Sequence, residues 1–248
     1  MYLNLLACEI MVREACQVIA RSPHICDVTF LDQGYHDRVD EGRAAIQAAI
    51  DLDRPTPYDG VLLGYGLCNN LLVGLRARSS PLIVPRAHDC ITLFLGSRER
   101  YNEEFAGKPG TYWYTSGWLE CRTRRGRNVM DQTSGVVTAT YEQFVEQYGE
   151  DNAQFLIEAL SAWTEHYKRG ALIFFEHDHV PALEAQVRAI CEDRGWQYEA
   201  MTGDIGLLER LVAGEWDPKE YLVVPPGHEI VADWHGGVVA AVPSEERP

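Results

Sequence analysis

A chain of 248 residues with 46% hydrophobic content is long enough for one large α/β domain or two smaller ones, each with a real core. Its formal net charge of −15 argues against nucleic acid and anionic membranes as partners, because both need a clustered basic surface. No apolar run approaches the roughly 20 residues of a membrane-spanning helix. The N-terminus, MYLNLLACEIMVREA, lacks the basic region of a secretory signal, so a cytoplasmic protein with seven reduced cysteines is expected.

Apolar runs alternate with helix-period segments from the first residue. YLNLLAC (2–8) reads as a strand and EIMVREACQVIARS (9–22) as a helix with Ile10, Met11, Ala15, Val18 and Ile19 on one face. CDVTFLD (26–32) is a second strand, VDEGRAAIQAAIDLD (39–53) a second helix, and GVLLGYG (60–66) a third strand followed by a short helix after Cys68. PLIVPRA (81–87) is a fourth strand, with helix expected over 88–105. GTYWYTSGWLECRTRRGRNVM (110–130) is aromatic and turn-rich; its rings suit core and edge packing, and Arg122 to Arg127 a solvated loop. Residues 140–168 read as one or two amphipathic helices broken near Gly149. Strand 171–178, helix 180–195, a strand-like 196–201, helix 203–216 and strand 221–227 follow, with Gly227 and His228 in a loop after the last strand.

Near-continuous apolar strands, each followed by a helix, imply an α/β fold with a doubly wound, mostly parallel sheet. Two similar α/β halves are expected: 1–109 and 140–240, joined by an aromatic and basic segment at 110–139 and ending in a tail at 241–248.

In such a fold the turns after the strands share one edge of the sheet, where sites are carried. Cys8 and Glu9 follow the first strand, Cys68 with Asn69 and Asn70 the third, and Arg86, His88, Asp89 and Cys90 the fourth. A single cysteine is most often packing, but three thiols delivered to one edge beside a His-Asp pair suit a metal centre. Thiolates and imidazole favour zinc with an open catalytic position, and three thiolates equally suit an iron–sulfur cluster with one iron open to substrate. The choice between these metals stays open. In this reading Cys8, Cys68 and Cys90 are the ligands, and His88 is a fourth ligand or proton-transfer group. Glu9 and Asp89 orient a ligand, while Arg86, Asn69 and Asn70 hold a small anionic or methylated substrate. A different chemistry makes Cys68 a nucleophile activated at the strand-to-helix turn, but leaves Cys8 and Cys90 without a role. FFEHDH (174–179) is a weaker candidate: it can bind metal or simply cap the helix that follows.

LLGYGLCNNLLVGL, LIVPRAHDCITLFLGSRERY and GTYWYTSGWLE resemble an uncharacterised prokaryotic family, domain of unknown function 1638. The resemblance runs over most of residues 1–230, and PRAHDCITLFLGS is its most specific part. It implies a cytoplasmic α/β protein associated with corrinoid-dependent methyl-transfer systems, with a corrinoid protein or methyltransferase as partner. It also implies a glycine after the cysteine, where this chain has Asn69 and Asn70. From it comes the rival reading of a non-catalytic accessory protein that binds metal or corrinoid for a methyltransferase.

Overall fold

The computed structural model describes residues 1–52, 55–124 and 167–244. The chain divides into two compact units: Met1–Glu104 with Gly203–Pro248, and Phe105–Thr202.

The first unit is built on five strands in the order β2-β1-β3-β4-β8. β1 (Tyr2–Cys8), β2 (Ile25–Leu31), β3 (Gly60–Gly64) and β4 (Leu82–Pro85) are parallel, and β8 (Tyr221–Val224) runs antiparallel to β4. The two neighbours of β1 are the second and third strands, so the winding reverses at β1, the arrangement in which open α/β sheets carry sites beyond the carboxyl ends of the strands. Leu3, Leu5, Leu6, Leu62, Leu63, Leu82, Ile83 and Val84 are wholly inaccessible. That burial explains why the central strands read as unbroken apolar runs. β2, at the sheet edge, leaves Ile25 and Val28 exposed.

Between the strands lie a 3-10 turn at Glu9–Met11 leading into α1 (Val12–Arg21), a second 3-10 turn at Gln33–His36, and α2 (Val39–Ile50). After β4 come α3 (Cys90–Leu95) and α4 (Arg98–Gly107). α3 stops at Gly96, whose φ of 81° supplies the left-handed cap. In the second unit β5 (Thr111–Tyr114), β6 (Arg169–Phe174) and β7 (Gln197–Thr202) form a parallel sheet in that order, with α5 (Ser116–Arg124) and α6 (Val180–Arg194). Its core joins Tyr114, Leu119, Leu172, Val187, Ile190 and Cys191, with Tyr112, Trp118 and Trp196 packed against it. The aromatic run is thus packing. Buried Arg169 donates to Glu199 and Thr111 across the same unit.

Several expectations need correction. The chain does not fold as consecutive halves: Gly203–Pro248, carrying α7 (Gly206–Ala213) and β8, belong with the first unit because β8 completes its sheet against β4. Gly227 and His228 are not a closing loop. They lead into a hairpin of β9 (His228–Asp233) and β10 (Val238–Pro243), turned at residues 234–237. The expected tail therefore begins inside a strand. The short helix after Cys68 is absent, replaced by the turn described below. The helices expected over 140–166, and the part of the basic cluster beyond Arg124, lie outside the described residues. Among the described residues no helix is long and apolar enough to cross a membrane.

Candidate functional site

β1, β3 and β4 are parallel and all end at one edge of the sheet, where the backbone is tightly drawn together. Leu67 N–H donates to Ala87 O at 2.8 Å and Cys68 N–H to His88 O at 3.0 Å, extending the β3–β4 pairing past both strands. Gly66 has no alternative: a Cβ at that position would lie 2.6 Å from backbone atoms of Asp89. Cys68, Asn69 and Asn70 then take φ of 42°, 55° and 64°, one full left-handed turn of non-glycine residues. L-residues pay roughly 1–2 kcal/mol each for that conformation, Asn least. Two of the three positions carry the residue type that tolerates it best, and the third carries a thiol.

The sulfur of Cys68 faces the backbone N–H groups of Gly66 and Cys90. Burial, followed by the Asp89 charge, nevertheless pushes its pKa up to about 12, because the two amides do not offset the loss of solvent. Cys90 is held well above the ordinary thiol range, by burial first and then by the charges of Cys68, Asp89 and Cys8. Cys8 is itself buried. Cys68 and Cys8 thus both lie within electrostatic reach of Cys90 and oppose its ionisation. Among the described residues, no group of three His, Cys, Asp or Glu side chains is disposed to hold a metal ion as the thiols stand. Of the other cysteines, Cys16 is exposed, Cys26 half-buried, and Cys121 and Cys191 buried.

The neighbouring polar residues have defined tasks. Asp89 caps α3, its Oδ1 accepting from Ile91 N–H at 3.0 Å, and its Oδ2 accepts from the Tyr101 hydroxyl at 2.9 Å. Burial raises its pKa against these bonds. His88 is exposed and its ring stacks on Tyr101 at 6.4 Å. Glu9 Oε1 accepts the Gln33 N–H at 3.0 Å, drawing the turn after β2 toward the end of β1. Asn69 and Asn70 are exposed; Asn69 Nδ2 donates to His36 O at 3.4 Å, and Asn70 O accepts from Arg43. Arg86 is engaged with the fold itself. Its Nε donates to Pro218 O, and its Nη1 to Gly237 O and Val239 O at 2.8 and 2.6 Å.

Sequence reasoning passed over Tyr65, which lies between Gly64 and Gly66 and is only 4% exposed. Burial first, then the charges of Cys8, Cys68, Tyr35 and Asp32, push its hydroxyl pKa far up. An aromatic residue with a polar tip, flanked by glycines at a strand end, was the available signal. In the second unit, FFEHDH forms the turn leading into α6: Asp178 Oδ2 accepts the Phe175 N–H at 2.9 Å, and His177 stacks on Phe175 at 5.5 Å.

The fold and this edge define a class: a doubly wound α/β protein with a thiol-lined switch point. The chain belongs to the family described as Protein of unknown function (DUF1638), whose model matches residues 30–212. No curated protein and no solved structure matches it.

Proposed function

We propose that this protein is an enzyme with a thiolate-ligated metal centre formed by Cys8, Cys68 and Cys90. One observation carries the reading: the ends of three parallel neighbouring strands each deliver a thiol to the same sheet edge, and Cys68 and Cys8 add to the burial that opposes ionisation of Cys90. A soft cation reverses that relationship. It binds the thiolates, releases their protons, and turns mutual repulsion into shared coordination. The bond from Cys68 N–H to His88 O at 3.0 Å keeps Cys68 beside the segment that carries Cys90. The exposed side of the site bears His88 and Asn69. There a small anionic or methylated compound meets an imidazole able to serve as fourth ligand or proton carrier. Zinc and an iron–sulfur cluster both match an all-thiolate donor set.

The nucleophile reading fares worse on the same geometry. A nucleophilic cysteine needs its thiolate favoured near neutral pH, whereas burial and Asp89 hold Cys68 protonated.

The test is metal and acid-labile sulfide content, with the absorption spectrum, of wild type and Cys68→Ala purified without oxygen. Iron with sulfide in the wild type, lost in the variant, selects the cluster. Zinc lost in the variant selects the mononuclear site. No metal in either protein overturns the proposal. A loaded protein that is silent alone and active only with a methyltransferase present selects the accessory role.

A further inference from the structure

A cavity of about 260 Å³ lies toward the amino ends of β3 and β4, at the edge of the sheet opposite the thiols. It is bounded by Ile50 at the end of α2, by Pro57 and Tyr58 on the approach to β3, and by Ser80 on the approach to β4. Ser80 Oγ donates to Tyr58 O at 2.7 Å and so ties the two approaches together. Asn4, in the middle of β1, lines the same cavity. Its side chain interrupts a run of buried leucines; the residue is 3% exposed, and its Oδ1 is buried with no hydrogen-bond partner among the described residues. A buried amide left unpaired is costly, so one kept in a central strand requires an account. Asp27, in register beside it on β2, is engaged elsewhere, accepting from the hydroxyls of Tyr2 and Tyr58.

The rest of the lining narrows the chemistry. Its charged side chains are Asp51 and Arg78, and these bond to each other, Arg78 Nε donating to Asp51 Oδ1 at 2.8 Å. The described lining therefore carries no net charge, which favours a neutral ligand over an anion or a cation. Ile50, Leu52, Pro57 and Val61 supply apolar surface, and Tyr58 an aromatic ring. An engineered apolar cavity of about 150 Å³ takes benzene, so this one has room for a substituted ring or two fused rings. A carboxamide presents an acceptor and a donor side by side, the pattern with which asparagine pairs to a nucleobase edge. We infer that this cavity binds a small neutral heterocycle, of the nucleobase kind, whose N–H and adjacent acceptor pair with the Asn4 carboxamide. No cysteine lines the cavity, so the inference stands apart from the proposed metal centre.

The experiment follows the Asn4 side-chain amide by NMR in the isotope-labelled full chain, assigned through the Asn4 backbone. Uracil and adenine are the probes, and N,N′-dimethyluracil, which has no N–H, is the control. At least one probe is expected to shift the Asn4 amide saturably, with the control at least about 10-fold weaker than uracil. Asn4→Leu, followed through neighbouring backbone signals, is expected to bind the better probe about 10-fold or more weakly. Ala49→Leu, which narrows the cavity while leaving the amide in place, is expected to weaken it as well. No shift with either probe overturns the inference and leaves the cavity to water. Binding of dimethyluracil as tight as that of uracil overturns it too, as does unchanged affinity in Asn4→Leu. Should Asn4→Leu fail to fold, Ala49→Leu decides: unchanged affinity there means that the probes bind elsewhere.

Discussion

At the scale of single residues, the site is governed by what burial does to charge. With Cys68 raised to about 12, its thiol stays protonated in the folded chain. Its alkylation by iodoacetamide, followed by mass spectrometry, should keep accelerating well above the pH of about 8.5 at which an ordinary thiol is half ionised. A rate that levels off near that pH would show an unburdened thiolate. Asp89 illustrates the sign of linkage. Its raised pKa means the folded protein binds this proton more tightly than the unfolded chain does. The group's contribution is thus fully present below the unfolded value of about 3.9, and is lost as pH rises through the folded one. Asp89→Asn keeps an N-cap side chain and removes the titration. The stability of wild type relative to this variant, read from denaturation curves, should fall as pH rises through the weakly acidic range; an opposite slope would mean that capping outweighs burial. Asn70 at φ 64° makes a separate case. A β-branched replacement there, Asn70→Val, should lose about 1–2 kcal/mol in chemical denaturation, whereas Asn70→Gly should lose nothing.

At the scale of elements, close backbone approach decides what is allowed. The turn from β3 is seated on the start of α3, and Gly66→Ala would drive a methyl group into the Asp89 backbone, which cannot rotate away. A loss of about 1–3 kcal/mol is expected from the overpacking, together with loss of metal uptake. Arg86 works at the same scale, joining the end of β4 to the β9–β10 hairpin through carbonyls at 237 and 239. Arg86→Ala should cost at least about 2 kcal/mol, since bonds from a charged donor are lost and the carbonyls stay behind. Much of this level was legible: the strands, α1, α2 and α6 follow from apolar period alone. The β9–β10 hairpin was not read, although His235-Gly236-Gly237 after an alternating run is a hairpin signal. The turn at Cys68 had no such signal, because its left-handed course depends on Gly66 meeting a segment more than twenty residues away.

At the scale of the whole molecule, the chain leaves the first unit at Glu104 and returns to it at Gly203. β8 shields the outer edge of β4, and α7 supplies Leu207, Leu208, Leu211 and Val212 to the core. A chain ending at Thr202 should therefore fail to form the first sheet, with exchange-protected amides missing from β3 and β4. Retained protection there would show that the sheet does not need its antiparallel edge.

What the sequence by itself determined is short-ranged: apolar runs of strand length, helical faces between them, and a thiol placed directly after three of the strands. Because helices connecting successive strands return the chain in the same direction, those strands run parallel and the three positions share an edge, so the candidate site was legible before any coordinates. What only the tertiary structure decided is the partner of each polar group. Arg86 could be read as an anion binder until its carbonyl partners, more than 130 residues on, came into place. Asp89 became a cap, Tyr65 was found enclosed, and β8 ran antiparallel. Apolar burial is a property each residue carries with it, so it survives in local sequence. Hydrogen bonds and charge interactions belong to pairs, and their second members arrive only when distant segments meet.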